Sequence, residues 1–195
     1  MWSEFLVYLR LGLTHVADIQ AYDHILFIAA LCAGYGLREW KRLFWLATAF
    51  TIGHSITLAL ATLKIIVVNV ELIEMLIPVT IILTSLVNIA APPKQEKDRS
   101  EKGKYAMALG FGLIHGMGFS NFLRAILGAE ESIVWPLFAF NVGLEIGQLL
   151  ILAVIVAVFS LVVGVLKMQK RSWVLVLSGA TFGIAVTIIL DQLAA

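Results

Sequence analysis

Four histidines and six carboxylates lie inside or at the edges of apolar stretches of this 195-residue chain: His15, His24, His54 and His115, with Asp18, Asp23, Glu71, Glu74, Glu145 and Asp191. Imidazole and carboxylate without thiolate form a ligand set for borderline divalent metals such as Ni, Co, Zn, Fe, Mn or Cu(II). The single cysteine, Cys32, builds neither a disulfide framework nor a thiolate cage. His15 and Asp18 form His-x-x-Asp, followed across a turn by the adjacent pair Asp23-His24. Asn141, Glu145 and Gln148 recur at i, i+4 and i+7, so three polar groups share one helical face that cannot face lipid. Glu145 is placed to ligate a metal, with Asn141 or Gln148 fixing it. Gly112 and Gly116 flank His115 as a small-xxx-small pair, and Thr48, Thr51, Gly53 and Ser55 surround His54.

Each residue also has a plainer reading. A single membrane histidine serves readily as an interhelical hydrogen bonder, Glu71 and Glu74 read as interface residues, and Asp18 and Asp191 each have two readings, Asp18 as a helix cap or an outer partner of the site and Asp191 as an interfacial acid or an outer partner of the site. The joint set is harder to explain that way, because a charge at the bilayer centre costs at least ~2.5 kcal/mol and needs a partner. His24, His54, His115, Asp23 and Glu145 are therefore expected to share one site, with the whole complement sufficient for one metal and its supporting groups, or for two metals.

The elements that position these residues are membrane helices. Hydrophobic residues make up 61% of the chain and charged residues 14%, and the mean hydropathy is +0.96. This composition excludes a separate soluble catalytic domain, disorder and a coiled coil. With 14 Lys+Arg against 13 Asp+Glu, and no long basic tract, it excludes a nucleic-acid partner too. The long unbroken apolar runs argue against a transmembrane β-barrel. Helices are expected at 21–36, 43–63, 70–91, 105–128, 133–166 and 173–193, the fifth able to begin at Pro136. The segment 4–17 is too short to cross at ~1.5 Å per residue. The expected fold is an all-α polytopic bundle of six spans plus a short N-terminal helix, with seven spans as the alternative, in one integral membrane domain over 1–195. Met1-Trp2-Ser3-Glu4 lacks a basic leader region and is expected to belong to the mature protein.

Basic residues orient the bundle. Arg38, Lys41 and Arg42, then Lys94, Lys97, Arg99, Lys102 and Lys104, then Lys167, Lys170 and Arg171 occupy alternate connections; the others carry only Lys64, or Glu130 with Glu131. By the positive-inside rule the basic loops are cytoplasmic and both termini of a six-span chain face outward, which puts the histidines and most remaining acids in the outer half. The 92–104 loop reads as a solvated connector, and Trp2, Trp40, Trp45, Trp135 and Trp173 as interfacial anchors. The implied partners are the lipid bilayer and a metal ion; small-residue pairs are compatible with a homo-oligomer or with packing inside one chain.

Five ordered blocks, Thr14-His15-Val16-Ala17-Asp18, Tyr22-Asp23-His24-Ile25-Leu26-Phe27, Thr48 to Leu58 around His54, Gly110 to Phe119 around His115, and Phe140 to Gln148 around Glu145, resemble the HupE/UreJ family of bacterial membrane proteins. The resemblance implies a multi-span helical protein of the bacterial inner membrane, associated with hydrogenase and urease accessory functions and described as a nickel or cobalt permease. It places the family's histidine and Asp-His motifs on His15, Asp23 and His24, its other histidines on His54 and His115, and its Asn…Glu…Gln block on Asn141, Glu145 and Gln148. The expected function is a divalent metal permease with an outer-leaflet site. The alternative is an intramembrane metalloenzyme that activates water on one or two metals, with Glu145 or Asp23 as general base, acting on a lipid or other apolar substrate. A third reading is an accessory protein whose metal holds the bundle together.

Overall fold

A computed structural model describes residues 2–19, 22–67, 69–90, 101–127 and 133–194, and every regular element among them is helical. In chain order these are α1 (Trp2–Val16), α2 (Asp23–Cys32), a short 3-10 turn (Leu37–Glu39), α3 (Trp40–Thr62), α4 (Val70–Ala90), α5 (Glu101–Gly118), α6 (Ser120–Leu127), α7 (Val134–Phe159, continued as a wider helix over Ser160–Val165) and α8 (Lys170–Ala194). The basic connector Lys94, Lys97 and Arg99, and the acidic pair Glu130 and Glu131, lie outside the described residues.

Four helical segments are long and apolar enough to cross a membrane: Leu37–Thr62, Val70–Ala90, Val134–Val165 and Lys170–Ala194. A fifth counts if Lys102–Gly118 and Ser120–Leu127, bent by 49° about Phe119, are one span. The expected six are not reached on length, and the reason is local. The apolar run 21–36 yields only the ten residues of α2, because the chain turns at Ala33 and the Gly36 amide donates to Glu39 Oε2 at 2.8 Å, which closes the 3-10 turn instead of extending the helix. Ten residues rise ~15 Å, half the hydrocarbon core. The other expected segments appear with shifted ends, and Pro136 falls in the first turn of α7, where its missing N–H costs nothing.

The shortness of α2 has a counterpart in its packing. His24 and every residue from Leu26 to Cys32 are buried; the helix packs on α4, α7 and α8, and its rings meet those of α3. A helix apolar on all sides belongs in a core. The long helices instead expose Leu72, Leu83, Leu150, Val154, Val176 and Leu190, an outer surface suited to lipid.

Contacts fix the helix directions. Phe5 meets Phe138, Gly12 lies against Phe140, and Gly147 against Val16, so α1 runs with α7. His24 lies near His54 and Phe27 near Phe50, so α2 runs against α3. Gly53 lies against Leu109 and Leu113, and Gly116 against His54 and Thr57, so α3 and α5 run together. Gln192 reaches Glu74, Ser85 reaches Thr181, and Arg171 reaches Asn88, so α4 and α8 are antiparallel. The α1/α7 and α3/α5 pairs are close because glycines stand where a Cβ would strike the neighbouring backbone, as Gly143 does at Leu9 and Gly112 at Phe50.

The basic residues Arg38, Lys41, Arg42, Lys102, Lys104, Lys170 and Arg171 gather at one end of the bundle, at the starts of α3, α5 and α8. There Lys104 Nζ donates to Tyr35 Oη at 2.7 Å, Lys170 pairs with Glu39 at 3.9 Å, and Arg171 donates to the carbonyls of Asn88 and Ile89 in the last turn of α4.

Candidate metal centre

The break between α1 and α2 builds the site. His15 is the last but one residue of α1 and His24 the second of α2, and their ring centroids stand 4.7 Å apart. His54 arrives from α3, 6.0 Å from His15 and 6.1 Å from His24. His115 arrives from α5, 5.1 Å from His24. Asp23 Oδ1 accepts from the His24 backbone N–H at 2.9 Å and stands 3.1 Å from its Nδ1, which fixes the ring and leaves Nε2 as the free donor atom.

Among the described residues two groups offer ligand atoms that all lie within 4.8 Å of one another: His15, His24 and His54, and Asp23, His24 and His115. His24 belongs to both. Buried nitrogens with no hydrogen-bond partner mark the same place: His15 Nε2, His24 Nε2, both ring nitrogens of His54, and His115 Nδ1. An unsatisfied buried polar atom costs ~1–3 kcal/mol, and several pointed at one locus are what a bound cation would satisfy. The donor set, imidazoles with one carboxylate, fits a borderline divalent ion.

Phenylalanines enclose the cluster. Phe50 lies 5.2 Å from His115 and 6.0 Å from His54, Phe27 5.3 Å from His115, and Phe140 5.7 Å from His15. Phe119, at the bend between α5 and α6, sits 3.9 Å from His15 and stacks on Phe140 at 5.0 Å. An apolar shell lowers the local dielectric and strengthens electrostatics inside it.

The other expected site residues fall elsewhere. Glu145 Oε1 accepts from Thr48 Oγ1 at 2.6 Å, outside both groups. Gln148 is buried and accepts from Thr51 at 2.8 Å. Asn141 Nδ2 donates to the Leu137 carbonyl of its own helix at 2.8 Å, while its Oδ1 is buried without a partner. The polar face of α7 is thus real, but it docks mainly on the threonines of α3. Asp18 lies in the exposed turn after α1, and Asp191 is exposed near the end of α8. Sequence reasoning missed Thr80, whose hydroxyl lies 3.2 Å from His115 Nε2; its only signal was a hydroxyl two residues after Pro78 in an apolar run.

Membrane-length apolar helices around a buried histidine-aspartate cluster able to hold a metal define the class: a polytopic helical membrane protein of metal handling. The chain belongs to the HupE/UreJ family, whose model, described as HupE / UreJ protein, matches residues 1–192. No curated protein and no solved structure matches it. Family membership suggests a membrane protein related to nickel or cobalt transport.

Proposed function

We propose that the protein is a permease for divalent nickel- or cobalt-class ions and that His15, Asp23, His24, His54 and His115 hold the ion in transit. The observation that carries this reading is the gathering of unpartnered imidazole nitrogens from four helices into two neighbouring ligand groups that share His24. Discontinuous helices meeting at mid-depth are a recurrent way to build transport sites, because free backbone groups and ligands are then presented inside the bilayer.

In this reading α1 and α2 are two halves of one crossing. Both run in the direction of α7, as does α4; α3, α5 with α6, and α8 run the other way, so six passes alternate within a single integral membrane domain. The basic end is cytoplasmic by the positive-inside rule. His54 then lies ~12 Å below the outer end of α3 and ~21 Å from its inner end, at ~1.5 Å per residue, which makes the site somewhat nearer the outer face. The protein resides in the bacterial inner membrane. The metalloenzyme reading draws no support from the arrangement, since Glu145, one of its two bases, is engaged by Thr48.

The test is Ni(II) uptake into proteoliposomes. Wild type accumulates the ion, and His54→Ala and His115→Ala abolish accumulation while remaining folded. One or two ions retained through chelation, with no uptake by wild type, would overturn the proposal.

A further inference from the structure

We infer that the cleft between the start of α2, α4 and α8 is the vestibule through which a hydrated divalent cation reaches the cluster, with the carboxylates of Glu74 and Asp23 as its receiving groups. The inference rests on the cluster being the ion's site, and goes beyond it by naming the way in. The cleft is lined by Tyr22, Asp23, Glu74, Ile77, Pro78, Ile188 and Gln192 and has a volume of about 240 Å³. Six waters at ~30 Å³ each occupy roughly 180 Å³, so a cation enters with its first hydration shell intact.

Two independent features tie this space to the cluster and to positive charge. First, Asp23 belongs both to the cleft wall and to the Asp23, His24, His115 group. His24, 3% exposed and with Nε2 unpartnered, stands directly behind it. Second, among the described residues the lining carries acceptors and no Lys or Arg. Pro78 explains part of this. Proline has no N–H, so the carbonyl four residues back, that of Glu74, loses its helical donor. Gln192 Nε2 supplies a substitute at 3.2 Å. The amide is thereby held by its nitrogen, and its Oε1 is left buried without a partner. Carboxylate oxygens suit a hydrated divalent ion; imidazoles behind them suit the ion after it sheds water.

The experiment is stopped-flow binding of Ni(II) to the full chain in detergent, alongside uptake in proteoliposomes. Glu74→Gln removes the outer charge, and Ile188→Trp fills the cleft without touching charge. Glu74→Gln is expected to lower the association rate on the order of tenfold, the lower range of electrostatic focusing by a charged cleft, and Ile188→Trp to lower it by obstructing the path, with equilibrium metal content unchanged in both. In wild type the rate falls as salt rises, and in Glu74→Gln it falls less steeply. Wild-type association rates in both variants would overturn the vestibule and leave the permease reading standing if uptake persists. Slowed association without uptake by wild type would overturn the permease reading and support the vestibule. Absence of Ni(II) binding by wild type would overturn both.

Discussion

Gly112→Ala tests whether the approach of α3 to α5 sets the metal geometry. A methyl at Gly112 would strike the Phe50 carbonyl oxygen, with the carbonyl carbon at 3.0 Å and His54 N at 3.1 Å. Carbon pairs sit best at ~3.5–4.0 Å, so the two helices must part by about 0.5–1 Å, since the obstacle is backbone and cannot rotate away. Such overpacking costs about 1–3 kcal/mol. His24 is shared between a group that takes its third donor from α3 and one that takes it from α5, so the widening pulls on both. Metal sites tolerate ~0.2 Å in ligand distance, several times less than the imposed shift, and affinity is expected to fall about 10- to 100-fold, as when ligand orientation is lost. Gly110→Ala on the same helix is the control: a Cβ there meets nothing within 4 Å, and helix propensity alone stabilises it by roughly 0.5–1 kcal/mol. Melting in detergent with and without Ni(II), together with titration calorimetry, gives both readings. If Gly112→Ala melts and binds metal like Gly110→Ala, the close helix approach does not set the site.

Thr80→Val removes the hydroxyl 3.2 Å from His115 Nε2 and is expected to weaken Ni(II) retention about tenfold, read by competition against a chelator; unchanged retention would mean that Thr80 does not orient the ring. Cys32, 2% exposed in the enclosed α2, is expected to resist maleimide in the native protein and to react after unfolding. Prompt native labelling would put α2 on the outside of the bundle. In oriented vesicles an impermeant thiol reagent is expected to reach Lys64→Cys from outside and Lys41→Cys only from within, each on a Cys32→Ala background; the reverse pattern inverts the topology.

The long helices were legible because an apolar run has a length, and lengths near those of α3, α4, α7 and α8 have few other uses. The run 21–36 shows where that reasoning stops. Its residue count is compatible with a span, but the count does not reveal that the turn at Ala33 and the Gly36–Glu39 contact end the helix at Cys32, or that its sides face protein. The bend at Phe119 was equally hidden, since no proline marks it. Convergence of the histidines was readable because imidazoles and a carboxylate in apolar segments need partners. Glu145 marks the limit of that argument: periodicity identified its shared face with Gln148, but not the neighbour. Thr48 and Thr51 supply that neighbour, and periodicity within α7 carries no information about α3.

The break between α1 and α2 is what turns two distant residues into a site. On one continuous helix His15 and His24 would stand ~14 Å apart along the axis and on opposite faces; in the folded chain their rings are 4.7 Å apart. Breaking a helix inside a membrane leaves the N–H groups of the new N-terminus without intrahelical partners, and that end carries a partial positive charge that opposes a bound cation. Asp23 addresses both costs. Its carboxylate accepts from the His24 N–H, places a negative charge at the start of α2, steadies the His24 ring, and joins the Asp23, His24, His115 group. A histidine at position 23 would add a donor atom but no charge against the dipole, and a carboxylate further along the helix would miss the free amide. The Asp-His pair at the start of a short interior helix therefore answers the requirements of the broken backbone and of the cation with the same side chain.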